Sequence, residues 1–205
     1  KGGKKFWALA RTGQTGVLKG KDVSNAYVLL ATGCDGTLAT TAQFTNIRVV
    51  CNNTLAIALE GCTGAVKVPH STRFNPDTVK SQLGISVSKW DDFMYRMKAL
   101  SERKMKHSEV QNYFLNVFTD FAAKGPAVTN ERAMARTLAL YQGDGRGADL
   151  ASSKDTAYGL LNAVTEFVDH ERRARSVDHR LDSAWFGQGA SLKQRALDHA
   201  LLLAA

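Results

Sequence analysis

Glu166, Asp169 and His170 stand at i, i+3 and i+4, a spacing that puts all three on one face of a helix. Carboxylates beside an imidazole can hold a divalent cation or relay protons, the equipment of metal-dependent phosphoryl transfer and nucleases. Such a cluster needs further ligands, and no other segment supplies them at a recognisable spacing. Arg172, Arg173 and Arg175 follow directly. Ion pairing and compensation of the helix C-terminus are therefore the plainer use of the same carboxylates. No catalytic residue is assigned, the three remain candidate metal ligands only, and no cofactor is expected.

Other chemical motifs fail on spacing. Gly13 to Asp22 has the composition of a phosphate-binding loop, but only three residues separate Gly16 from Gly20, and Asp22 stands where a magnesium-binding hydroxyl is needed. That stretch reads as a hairpin loop. His70, His107, His179 and His199 show no paired ligand spacing, and there is no G-x-S-x-G nucleophile elbow. Cys34, Cys51 and Cys62 are odd in number and lack C-x-x-C spacing, which points to reduced thiols rather than a disulfide or zinc framework. Reduced thiols make the cytoplasm the expected location. No apolar run approaches the roughly 18 residues that span a bilayer, so no membrane partner is expected. The chain starts at Lys1 rather than Met, and an additional N-terminal segment is expected.

Charge is the remaining signal. Lys and Arg number 27 against 19 Asp and Glu, a net +8, with a pI near 9.5. That balance favours polyanions, nucleic acid ahead of anionic membrane. Lys4, Lys5, Arg11 and Arg48 lie on or beside expected strands, with Trp7 and Tyr27 available to stack on bases. Arg172, Arg173 and Arg175 form a second basic group. The bland alternative is that these charges are wet helix faces and the rings are core.

The elements that would position these residues begin with three strands. Phe6–Arg11, Asn25–Thr32 and Leu38–Cys51 are β-branched, aromatic or apolar, with a Gly-rich loop over Thr12–Lys21 and an Asp35-Gly36 turn between them. A short helix is expected from Thr54 to Leu59, capped by Asn52, Asn53 or Thr54. Pro76 opens a helix through Leu83. Trp90, Phe93, Met94, Met97 and Leu100 then form one apolar face, and Tyr113, Phe114, Val117, Phe118 and Phe121 form another behind a Ser108–Gln111 capping box. Gly125-Pro126 ends that helix, and a further one starts near Thr129 or Asn130. A long helix over Thr156–Arg175, a break over Ser176–Gly189 and a last helix over Ser191–Leu203 complete the chain. The reading is α+β, with a small antiparallel β-β-β-α sheet followed by a mainly helical half. Residues 1–142 form the core with its packed helices, 143–153 a Gly-rich linker, and 154–205 a helical segment that packs on the core.

Asn46–Leu55, Thr156–His170 and Ala184–Ala196 together resemble the phage/plasmid-like protein family, a domain of unknown function (932) carried on phages, plasmids and integrated elements. That family has no assigned catalytic residues, so the resemblance implies none here. Element order and charge are also similar to the single-strand annealing proteins of the Red-beta and RecT superfamily. The likeness implies a basic groove for single-stranded DNA and a homo-oligomer. The leading expectation is thus a mobile-element protein that binds and anneals single strands in recombination. A host-interaction module for acidic protein partners and a metal-dependent nuclease are the alternatives.

Overall fold

Alternating polar and apolar residues commit the first third of the chain to strands. In the computed structural model, which describes residues 4–57, 65–83, 87–120 and 128–204, they form one five-stranded sheet. Its strands are β1 (Lys5–Leu18), β2 (Asp22–Gly33), β3 (Thr40–Arg48), β4 (Asn53–Ala56) and β5 (Ala65–Val68). β2 and β3 pair antiparallel from Ser24 opposite Arg48 to Ala31 opposite Thr41. The Asp35-Gly36 turn that joins them behaves as expected. Gly36 takes φ +74°, and the Asp35 carboxylate accepts from the Thr37 amide at 3.1 Å. Those bonds to Thr37 hold the Asp35 carboxyl below its ordinary range.

Three sequence expectations are corrected in this region. β1 continues through Leu18, so the expected loop over Thr12–Lys21 shrinks to a turn at Lys19–Lys21. The third strand stops at Arg48 instead of Cys51. The helix expected from Thr54 is a strand over Asn53–Ala56. There the free edge of β3 claims the backbone: Ile57 N–H donates to Phe44 O at 2.9 Å, and Thr45 Oγ1 donates to Leu55 O at 3.0 Å. Pairing to an open edge overrides a local helix signal. The end of that expected helix, Leu59, lies outside the described residues, as do Cys62, Phe121 and Gly125-Pro126.

β5 pairs with the other half of the same β3 edge, Thr40 opposite Val68 to Gln43 opposite Ala65. Over it lies α1 (Pro76–Leu83), where expected. Val79 and Leu83 bury against Ala42, Val28, Val66 and Val68. Full burial of each aliphatic side chain stabilises by about 1.5–3 kcal/mol.

The chain divides into two compact units: Lys1–Val17, Val23–Val49 and Thr54–Tyr95, and then Leu18–Asp22, Val50–Asn53 and Arg96–Ala205. The boundary falls within α2 (Val87–Glu102), whose expected stripe is buried at Trp90, Phe93, Met97 and Leu100 and half-buried at Met94.

The second unit is helical: α3 (His107–Phe118), α4 (Glu131–Ala139), α5 (Ala157–Glu166), α6 (Val177–Phe186) and α7 (Gln188–Ala204), with a two-strand ladder of β6 (Thr119–Asp120) and β7 (Val128–Thr129). α3 starts at His107, one residue before the expected cap Ser108, and Lys106 takes the cap position. Glu109, three residues into the helix, accepts from the Lys106 amide at 2.8 Å, so the reciprocal carboxylate is Glu109 and not Gln111. Asn130 caps α4 as expected through the Ala133 amide at 3.1 Å.

α5 is buried on every side, which its near-absence of charge permits. Its polar groups are matched: Thr156 Oγ1 accepts from the Gly159 amide at 3.1 Å, and Asn53 Nδ2 donates to Thr165 Oγ1 at 3.1 Å. The long helix expected to Arg175 ends sooner, in a π-helical turn over Phe167–Glu171. There Arg172 N–H donates to Phe167 O at 2.7 Å. The expected break after it is instead α6, whose alternation of charged and small residues leaves only Ala184 buried. Residues 143–153, read as a linker, lie inside the second unit. The Arg146 amide donates to both Glu166 oxygens at 3.1 and 3.0 Å, and Ser152 Oγ donates to the buried Asp22 carboxylate at 2.6 Å.

Candidate nucleic-acid interface

Strand alternation sorts the residues expected to meet nucleic acid. Lys5, Trp7 and Arg11 are separated by even steps along β1 and share a face. Arg11 Nη2 donates to Asn25 Oδ1 at 3.0 Å and to Thr15 Oγ1 at 3.4 Å. That bond sets Arg11 on the same face of β2 as Asn25 and, two residues on, Tyr27. Lys5 and Arg11 are exposed and Tyr27 is half-buried, while Trp7 is 46% exposed. Tertiary structure therefore gathers four of the sequence candidates on one surface. Lys4 alternates to the other face, beside Phe6, and is also exposed.

Arg48 is the correction. It is 2% exposed, among the largest fully buried side chains, and a guanidinium enclosed by protein cannot reach a phosphate outside. Its place at the end of β3, opposite Ser24, points it inward, and nothing in the local sequence signals this.

In the second unit, Glu166, Asp169 and His170 do not converge. Glu166 is 6% exposed and faces the Arg146 amide. Burial pushes its carboxyl above the ordinary range, opposed by that N–H and by the nearby His170 and Arg146. Asp169 Oδ1 is 2.8 Å from Lys193 Nζ. His170 Nε2 is buried with no hydrogen-bond partner among the described residues, and Arg180 Nη1 donates to its backbone carbonyl. Among the described residues no three His, Cys, Asp or Glu side chains are grouped to hold a metal ion. The i, i+3, i+4 argument fails because the chain passes into a π-helical turn at Phe167–Glu171, where the α-helical spacing on which it rests no longer holds. Ion pairing is the observed use of Asp169, but its partner is Lys193 and not one of the arginines that follow, while Glu166 serves the Arg146 amide.

Arg172, Arg173 and Arg175 separate. Arg175 is exposed in the connection to α6. Arg172 and Arg173 line a cleft of about 1470 Å³, together with Arg132, Arg136 and Arg195. The last three were missed because their spacing along the chain carries no pattern. Arg136 forks onto Glu171 with bonds of 2.6 and 2.7 Å and reaches Asp144 at 2.5 Å. Both carboxylates hold its proton more firmly than usual.

The chain matches, over residues 1–185, the family described as "Domain of unknown function (DUF932)". It belongs to that family. The matched stretch of the DUF932 domain includes the sheet face and four of the five cleft arginines, with Arg195 on α7 beyond it. No curated protein and no solved structure matches the chain. Among the described residues of this DUF932 protein, no helix is long and apolar enough to cross a membrane.

Proposed function

We propose that this chain binds nucleic acid, with single-stranded DNA held on the sheet face of the first unit. The observation that carries the reading is the gathering of Lys5, Trp7, Arg11 and Tyr27 on one accessible surface. Cations there neutralise phosphates, and an exposed indole offers a platform for an unpaired base, which a duplex keeps inside its stack. The net charge of +8 supports it. No bond is made or broken in this mechanism. Its setting would be annealing during recombination on a phage or plasmid, by a homo-oligomer in the bacterial cytoplasm.

The test is a titration of fluorescent oligo-dT across a salt series, with light scattering recorded alongside. Binding should weaken steeply and log-linearly with salt as counterions are released, and duplex DNA of equal length should bind less tightly. Absence of binding to oligo-dT at low salt rejects the proposal.

A further inference from the structure

The arginine cleft lies wholly in the second unit and stands apart from the sheet-face reading. Five guanidinium groups border it, against the carboxylates of Glu131 and Glu171. Like charges so placed repel unless something negative lies between them. Glu171 does this for Arg136 alone.

The other four are presented rather than consumed. Arg172 is oriented by donating Nη1 to Ser183 Oγ at 2.8 Å and Nη2 to Gln188 Oε1 at 3.0 Å. Arg195 spends Nη1 on the carbonyls of Val117 and Thr119, at 3.1 and 3.2 Å, which fixes its stem at the cleft wall. Arg132 and Arg173 are exposed and make no hydrogen bond or ion pair among the described residues. The rest of the wall suits an anion too. The first residues of α4 and α7 line the cleft, bringing the positive ends of two helix dipoles. Phe118 and Phe167, edge to face at 5.9 Å, supply an apolar side that strengthens any charge interaction beside it.

The geometry points to a binding site for a phosphate-bearing ligand. Arg132 and Arg173 are its uncommitted clamps, Arg172 and Arg195 its oriented donors, and Glu171 an internal stand-in that occupies Arg136 until a phosphoryl group arrives. Guanidinium forks match phosphate oxygens two at a time, as the Arg136–Glu171 pair already shows with a carboxylate. The ligand's phosphates can belong to a free nucleotide or to the backbone of a nucleic acid strand.

Calorimetric titration of the full chain with inorganic tripolyphosphate, which has no base to stack on the sheet, tests the site separately from the proposed function. Binding should weaken at least about tenfold in Arg132→Ala/Arg173→Ala. It should hold within about twofold in Lys80→Ala/Lys98→Ala, which removes as much charge from exposed helix positions elsewhere. Glu171→Gln should tighten it by removing a carboxylate that competes for Arg136, although Asp144 still holds Nη1. ATP and unphosphorylated oligo-dT, titrated in parallel, tell the two sources apart by which one loses affinity in the cleft variant. The inference is overturned if tripolyphosphate does not bind, or if the two double variants lose affinity equally. Oligo-dT binding that persists in either case leaves the sheet-face reading standing.

Discussion

Lys193 Nζ lies 2.8 Å from Asp169 Oδ1, with the two side chains only 5% and 6% exposed. This buried ion pair ties α7 to the π-turn that ends α5. Taking two charges out of water is costly, and removing one partner strands the other. Lys193→Met should lower unfolding stability by about 3–5 kcal/mol. Lys193→Met/Asp169→Leu should recover much of that loss, since an apolar pair leaves no stranded charge. Urea denaturation of the single and double variants measures the difference.

Gly159 is where backbone meets backbone. A Cβ there would stand 2.0 Å from Ser153 O, a contact that no rotamer change relieves. Gly159→Ala should destabilise by about 1–3 kcal/mol, although alanine favours helix at an unobstructed position. The melting temperature should fall. An unchanged value would mean that the Ser152–Thr156 turn yields without cost.

Glu166 makes stability depend on pH. Burial raises its carboxyl in the folded chain, so the folded state keeps a proton that the unfolded state has released. The protonated form is tolerated equally at low pH. As pH rises from the ordinary glutamate range through the raised folded-state value, stability falls, and above that value it levels. Glu166→Gln keeps an acceptor for the Arg146 amide and cannot ionise, so it should flatten this slope. Denaturation curves at stepped pH, wild type against variant, give the comparison.

Trp7 separates charge from stacking on the sheet face. Trp7 is 46% exposed, so Trp7→Ala should lower stability by less than the loss of a fully buried aromatic and weaken oligo-dT binding by about 1–3 kcal/mol. The salt slope should stay the same, because no phosphate contact is lost. Arg11→Ala should instead lower the slope by about one.

Local periodicity and turn chemistry determined much of this protein by themselves. The α+β class, the β2–β3 hairpin, α1 from its proline, the buried stripe of α2 and the Asn130 cap all follow from residues within a few positions of one another. A strand's face or a helix's stripe is a property of adjacent side chains, and these are legible one segment at a time. Asn53–Ala56 could not be read this way, since the β3 edge that claimed its backbone is formed elsewhere in the chain. Arg48 looked like a surface cation because burial is a property of what covers a residue. Asp169 meets Lys193 across 24 positions, and the π-turn that aims it breaks the periodicity on which a metal-ligand face was argued. The cleft arginines, spread from 132 to 195, share a wall only because α4, the end of α5 and α7 border one cavity. Lys5, Trp7, Arg11 and Tyr27 were legible as candidates from strand alternation, whereas long-range placement of charge depends on packing, and packing alone assembled the arginine cleft.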